Sequence, residues 1–373
     1  MNLEIKREIL LNNLKKVSKA LKSKNLVPIL SGIKIDLEDK GLTLTASDND
    51  ITIETLIPNT KEIMTIKELG SIIVTGKLFL DIISNLDDEF IKLEVRDESK
   101  VFINSTSGSF ELNGINKKEY PNINLVEKED PIILNSNLFR DLVNQTSFAT
   151  STDESRPQLT GINIRINGNE LECNATDSYR LARKVLTLET MILDPINIVI
   201  PSKNIVEFSS IIESDNIELH IFSNKILFKS DNLLFQSRLI NGSYPNVANL
   251  IPKEYLLTIN VNKQEFLRIL QRVSILTSDR EKNIVTLETT ESKELILKSS
   301  SQEIGKAEQS MLIEKDNENG DIRIAFSARY MLDALKAIDE EFITIRFVGE
   351  VNPIVIREKS ETLTQLVLPI RTY

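Results

Sequence analysis

At 373 residues the chain is too long for one ordinary hydrophobic core and predicts two or three domains, on a prior of roughly 150 residues each. Its 41% hydrophobic and 27% charged residues, with no apolar run of the roughly 18 residues needed to cross a bilayer, exclude a helical membrane protein. The formal charge of -10 excludes a protein that wraps its whole surface in nucleic acid, though not a basic lining on one face, while one cysteine and one histidine exclude a disulfide framework, a thiolate metal cluster and histidine-rich catalysis.

The N-terminus, Met-Asn-Leu-Glu-Ile-Lys, has none of the parts of a secretory signal, so a cytoplasmic location is expected. A strand at Leu3 to Lys6 precedes a helical pattern from Arg7 to Lys22, with Leu10, Leu14, Val17 and Leu21 on one stripe and Lys15, Lys19 and Lys22 on another. After Val27-Pro28-Ile29-Leu30-Ser31-Gly32-Ile33 come alternating strands and the turn Asp48-Asn49-Asp50. A second helix follows Val74-Thr75-Gly76-Lys77, with Leu78, Ile82, Ile83 and Leu86 as its expected buried side. Strands at Ile91 to Val95, Val101 to Asn104 and Phe110 to Leu112 lead to Tyr120-Pro121-Asn122.

From Pro131 the same order begins again. Ser136 is the expected cap of a helix that carries Leu138, Phe139, Leu142 and Val143. Arg156-Pro157-Gln158-Leu159-Thr160-Gly161-Ile162 echoes Val27 to Ile33, and Ile198 to Lys203 echoes Ile72 to Lys77. Cys173 and His220, each inside a strand pattern, are expected to be packed structural residues. Tyr244-Pro245-Asn246 closes this unit as Tyr120-Pro121-Asn122 closes the first. A third pass gives a helix from Asn262 to Leu276, with Phe266, Leu270 and Val273 inward, and another from Tyr330 to Ile338. The basic residues that open the second helix of each pass, Lys77, Lys203 and Arg329, stand 126 residues apart at each step.

The fold class expected is therefore α+β: three copies of one unit, each with two helices and about seven or eight short strands in antiparallel sheets. The boundaries expected are 1–126, 127–252 and 253–373. Each unit carries basic side chains on helix faces opposite the apolar ones: Lys15, Lys19, Lys22 and Lys77 in the first, Arg140 and Lys203 in the second, Lys263, Arg268, Arg272, Arg329 and Lys336 in the third. Helices set on the inside of an arc would then present a basic inner surface within an acidic body.

The ordered set from Val27-Pro28-Ile29-Leu30 through Ala175-Thr176-Asp177-Ser178-Tyr179-Arg180-Leu181-Ala182 and Tyr244-Pro245-Asn246 to Leu368-Pro369-Ile370-Arg371, with the matched length and the threefold repeat, resembles the bacterial DNA polymerase III beta subunit family. The resemblance implies a processivity factor without a catalytic site or cofactor. It implies a head-to-tail homodimer closed into a ring of six similar domains around duplex DNA, which holds the DNA without reading its sequence. Partners implied are the polymerase alpha subunit, the clamp loader and other proteins that carry a clamp-binding peptide.

By the same resemblance, Lys24, Lys77, Arg156 and Lys203 lie near DNA. The family's peptide pocket falls on Leu159, Thr176, Ser178, Tyr179, Arg180, Leu181, Pro245, Asn249 and Leu250 of the second unit and on Val351, Pro353, Leu366, Leu368 and Ile370 of the third. Thr176 and Leu181 are expected to face the guest, Arg180 to edge it and Asp177 to hold the turn. Ring closure would bring Phe110 and Leu112 against Ile275 and Leu276. The sequence departs from the family pattern at Tyr179, where His is common, at Asn249, where Arg is frequent, and at Pro157 and Gln158, where some members have tyrosines.

Two rival readings follow from the residues. Asp48 with Asp50, or Asp177 near Arg180, offers carboxylates for acid-base or metal chemistry, but neither brings the further ligands of a calcium loop, and no glycine-rich phosphate motif is present. A peptide-binding scaffold without topological DNA binding is the alternative function.

Overall fold

The computed structural model describes residues 1–21, 27–97, 99–106, 108–277, 283–291, 293–316 and 321–371. Each repeat holds two helices: α1 (Arg7–Val17) and α2 (Gly76–Ser84), α3 (Ser136–Thr146) and α4 (Ser202–Ile211), α5 (Lys263–Ser274) and α6 (Ala328–Lys336). Lys77, Lys203 and Arg329 are each the second residue of α2, α4 and α6, so the repeat read from spacing is a repeat of structure. Among the described residues the first repeat has nine strands, the second six and the third nine. The second has fewer because two of its strands, Gly161–Thr176 and Arg180–Pro201, run on as one long hairpin.

Several local expectations need correction. α1 stops at Val17 and a 3-10 turn, Ser18–Ala20, follows; the Ser18 hydroxyl donates to Lys15 O, and Leu21 is already extended, so Lys19 sits beyond the α-helix. In α2 the expected Leu78 is exposed and Phe79 is buried in its place, and in α3 Phe139 is likewise buried while Leu138 is exposed. In both helices Leu and Phe are adjacent and about 100° apart, and the larger aromatic side chain takes the core with Ile83 or Val143 one turn on. Ser136 is not the cap of α3 but its first residue. Asn135 accepts from Asn137 N–H at 3.0 Å in its place. Lys263 is not on an outer face: it is buried, and its ammonium donates to Ile338 O just past the C-terminal end of α6, where carbonyls lack helical partners.

The chain packs as two units. One comprises residues 1–137 and 207–239. It contains a five-stranded sheet that ends on Ser109–Asn113, and an eight-stranded sheet in which strands of the first and second repeats form one ladder. Leu233–Arg238 joins Ile51–Pro58 there, antiparallel, through the five pairs from Leu233↔Thr55 to Ser237↔Ile51. Phe208 stacks on Phe228 with centroids 4.4 Å apart, and Phe235 lies 5.3 Å from Phe208.

The other unit comprises 138–206 and 240–373. Its seven-stranded sheet joins the long hairpin of the second repeat to the third repeat through Arg180–Pro201 and Leu363–Val367, and its four-stranded sheet ends on Gly305–Leu312. The core there is formed by Phe266, Leu270, Val273, Phe326, Met331, Leu335 and Phe347 among others.

The repeated Pro and Gly have a common geometry. Pro28–Ser31 and Pro157–Thr160 are 3-10 turns, and each is followed at once by a strand that opens on glycine. A Cβ on Gly32 would stand 2.5 Å from Ile73 Cγ2, and one on Gly161 2.6 Å from Val199 Cγ1, so only glycine lets the strand lie against its neighbour.

Candidate functional site

The stretch Asn174 to Ala182 folds as the closing turn of the long hairpin. Asp177 Oδ1 accepts from the N–H groups of Tyr179 and Arg180 at 2.9 and 3.0 Å. Thr176 Oγ1 accepts from Ser178 N–H at 3.1 Å and donates to Arg180 O at 2.6 Å. Asp177 is therefore spent on the turn, as expected. Likewise Asp48 Oδ1 accepts from the N–H groups of Asp50 and Ile51, which makes Asp48-Asn49-Asp50 another turn of this kind.

Ser178 has φ 79°, a left-handed backbone that costs a non-glycine residue about 1–2 kcal/mol. Ser178→Gly is therefore expected to stabilise this unit by about 0.5–1 kcal/mol, part of the relief being offset by the freer unfolded chain. A shift of the urea midpoint to higher concentration checks it, and a shift to lower concentration would refute it.

Around the turn, register places Leu181 opposite Leu366. Leu181, Val247, Val355 and Leu366 form a buried cluster, with Tyr244, Ile251, Tyr255 and Leu368 packed on it in partial exposure. Leu368 is anchored by its N–H, which donates to Tyr179 O at 2.9 Å. Tyr244 accepts from Thr176 N–H at 3.0 Å, and burial pushes its phenol far above the ordinary value. Leu250 and Val351 stand largely exposed, at 51% and 62%. Asn249 and Leu250 belong to a 3-10 turn, Val247–Leu250, whose cap is Asn246. Leu159 is buried under a turn of its own; Pro353 and Ile370 are half-buried, and Ile370 N–H donates to Ala325 O at 2.7 Å. Pro245 is exposed.

Arg180 is not an available edge donor. It is only 8% exposed, its Nε donates to Asp177 Oδ2 at 3.0 Å and its Nη1 to Asp333 Oδ2 at 2.6 Å, and its guanidinium lies 4.6 Å from the Tyr330 ring and 5.4 Å from the Phe148 ring. It is consumed in riveting the turn to α6. Tyr179, 61% exposed, stacks on Tyr330 at 6.4 Å, and Tyr330 in turn packs on the core of the third repeat. Tyr330, Asp333 and Phe148 were not legible as site residues, because no local pattern joins α6 to the hairpin turn. Tyr244 was within reach, since its tripeptide repeats at Tyr120.

Of the basic residues, Lys15, Lys77, Arg156, Lys203, Arg268, Arg272 and Arg329 are exposed and Arg140 is half-buried. Arg156 Nη1 reaches Ser178 Oγ at 3.4 Å. Lys19 Nζ pairs with Glu207 Oε2 at 3.1 Å. Lys22 and Lys24 lie outside the described residues. Phe110 and Ile275 are exposed, at 41% and 72%, and Leu112 and Leu276 partly so.

Cys173 is buried against Thr146, and burial pushes its thiol up to about 12. His220 Nδ1 accepts from Lys128 N–H at 2.8 Å, which leaves the ring proton on Nε2, 3.3 Å from Glu218 Oε2. Glu127 joins this pair, but Lys229 Nζ already sits 2.6 Å from Glu127 and 3.7 Å from Glu218, where a cation would go. Both residues are structural, as their strand settings suggested.

Family models cover nearly the whole chain: the N-terminal domain of the DNA polymerase III beta subunit matches residues 1–124, the central domain 133–246 and the C-terminal domain 248–371. The beta sliding clamp of Bacillus subtilis is 38% identical over 379 residues, covering all of both chains, and that of Staphylococcus aureus is 38% identical with the same coverage. Among solved structures, the DNA polymerase sliding clamp from Bacillus subtilis superposes with a TM-score of 0.96 at 37% identity, and the DNA polymerase beta subunit from Streptococcus pyogenes with 0.95 at 31%, each over the full length of both chains. The chain therefore belongs to the DNA polymerase III beta subunit family of sliding clamps, whose members serve as processivity factors and not as catalysts.

Proposed function

We propose that the chain is one half of a head-to-tail homodimeric ring that encircles duplex DNA and tethers the replicative polymerase through its alpha subunit, with the clamp loader and other motif-bearing proteins docking at the same place. The observation that carries the ring is the distribution of sheet edges. Two composite sheets join neighbouring repeats inside the chain, through Leu233–Arg238 on Ile51–Pro58 and through Arg180–Pro201 on Leu363–Val367. Two smaller sheets, of five and four strands, hold strands of one repeat only, the first repeat's with an edge at Ser109–Asn113 and the third's with an edge at Gly305–Leu312. An exposed edge is a row of unmet N–H and C=O groups. A second copy that joins one edge to the other supplies the missing third joint. Phe110 and Leu112, against Ile275 and Leu276, give that joint an apolar part. The three domains read as 1–126, 127–252 and 253–373.

The docking surface is the partly open layer of Leu368, Tyr244 and Ile251 over the buried Leu181 and Leu366, with the exposed Leu250 and Val351 in the same set, suited to Leu or Phe side chains of an extended peptide. The DNA-directed residues are Lys15, Lys77, Arg140, Arg156, Lys203, Arg268, Arg272 and Arg329, which attract phosphate without selecting bases. Among the described residues no helix is long and apolar enough to cross a membrane, which fits work in the cytoplasm beside the DNA. On nicked circular DNA the loaded protein is expected to remain bound and then to leave once the circle is cut. Retention on the linear product would point to a scaffold or groove binder and sink the ring. A solution mass of twice 42.3 kDa is expected for the unloaded protein.

A further inference from the structure

Lys19, just past the end of α1 and on the basic face expected from the sequence, differs from the basic residues that open α2, α4 and α6. Lys16 Nζ lies 2.6 Å from Glu213 Oε2, and Lys19 Nζ lies 3.1 Å from Glu207 Oε2. Glu207 is on α4 and Glu213 just beyond its end, so both carboxylates come from the second repeat and both lysines from the first. All four residues belong to the same packed unit. Among the described residues, no carboxylate stands within ion-pair distance of Lys77, Lys203 or Arg329. The pairs differ in exposure: the Lys19 and Glu207 side chains are 45% and 27% exposed, whereas the Lys16 side chain is only 16% exposed beside a Glu213 that is 72% exposed. A pair as open as Lys19 with Glu207 adds little to folding, so stability gives weak reason for its presence.

Their position suggests another effect. A free lysine that neutralises a DNA phosphate releases a condensed counterion and steepens the salt dependence of binding by about 0.9. A lysine already held by a carboxylate must first let it go, and the stranded carboxylate then faces the polyanion. Its net contribution is a difference between two anions. We propose that Glu207 acts as a built-in competitor of DNA phosphate for Lys19, and so loosens the grip of the first repeat on the duplex. This rests on the reading of DNA as the ligand. A ring that is held topologically needs only weak contacts, and a looser grip lowers the cost of each step along the backbone.

The test uses the full chain and a short fluorescent duplex, with anisotropy followed across salt concentrations. Glu207→Gln is expected to tighten binding about two- to fivefold at low salt and to steepen the log-log salt slope by about one. In a Lys19→Gln background the same substitution is expected to change nothing. Equal tightening in both backgrounds would mean that only total charge matters and would overturn the proposal. So would an unchanged affinity of Glu207→Gln in a protein whose binding Lys77→Gln still weakens, while the ligand assignment would survive. If Lys19→Gln, Lys77→Gln and Lys203→Gln all leave binding unaltered, both fall together.

Discussion

Lys184→Ala is expected to lower the unfolding free energy of its unit by about 3–5 kcal/mol, because it leaves a buried carboxylate without its cation. Lys184 is 8% exposed and Glu358 6%. The ammonium lies 3.1 Å from Glu358 Oε1 and donates to Thr362 Oγ1 at 2.9 Å, and the hydroxyls of Thr362 and Ser360 donate to the same carboxylate oxygen. Every member of the group is engaged, which is the condition under which a buried polar network holds rather than weakens a fold. It fastens the turn before Leu363–Val367 to Arg180–Pro201, at the opposite end of the ladder from the Leu181 cluster.

Burial by itself pushes Glu358 up, but the hydroxyls of Thr362 and Ser360 and the Lys184 ammonium outweigh it and hold the carboxyl below its ordinary value. A carboxyl that is more acidic in the folded chain than in the unfolded one contributes fully above its unfolded value. The contribution fades as the pH falls through the folded one. The native protein should therefore lose this part of its stability on the acid side, and Lys184→Ala should flatten that acid dependence. Urea titrations at neutral and acid pH measure both effects. A loss below about 1 kcal/mol for Lys184→Ala would show that the pair is surface-like. Replacing both partners by apolar residues, Lys184→Met with Glu358→Leu, should recover most of the loss.

Leu368→Asp is expected to weaken a short polymerase-derived peptide by about 30- to 1000-fold, the range of a central anchor worth about 2–4 kcal/mol. Its side chain packs on the cluster of Leu181, Val247, Val355 and Leu366 while staying partly open to solvent, so a carboxylate there can remain hydrated until a guest covers it. Its backbone bond to Tyr179 O does not depend on the side chain. Leu181 is a poorer choice for the same question. It is 2% exposed within the ladder, and a charge there would unfold the strand pairing before any peptide arrived. Val351→Asp, at an exposed shoulder, should give a smaller loss in the same direction. Fluorescence anisotropy gives the affinities, and mass in solution shows whether the dimer persists. Unchanged affinity for Leu368→Asp would remove the cluster from the docking surface.

Repetition made the architecture readable. The proline turns before Gly32 and Gly161, the basic residue second in α2, α4 and α6, and the aspartate turns at Asp48 and Asp177 all stand where the sequence pattern puts them. What local pattern could not resolve was competition between adjacent side chains. Leu78 with Phe79, and Leu138 with Phe139, fit a helical stripe equally well, and only the volume available in the core selects the aromatic. Nor could it show what a charged group is paired with. Arg180 reads as a surface arginine until α6 brings Asp333 and Tyr330 to it, and Lys263 reads as solvated until the end of α6 captures it. The apolar half of the candidate site was accessible through the family resemblance, and its polar half was decided by tertiary contacts.

The division of the central repeat bears on how such chains can be recombined. Residues 207–239 pack with the first repeat and 138–206 with the third, so the middle third of the sequence is not a transferable module. A fragment cut after residue 126 would carry Ile51–Pro58 with five pairings unmet, and so would a hybrid whose new central segment did not match them. Such an edge recruits whatever strand is at hand. Exchange between related clamps should therefore succeed when the crossover keeps Leu233 to Ser237 with the first repeat they pair with, and Arg180 to Lys184 with the third, whatever the sequence boundaries suggest.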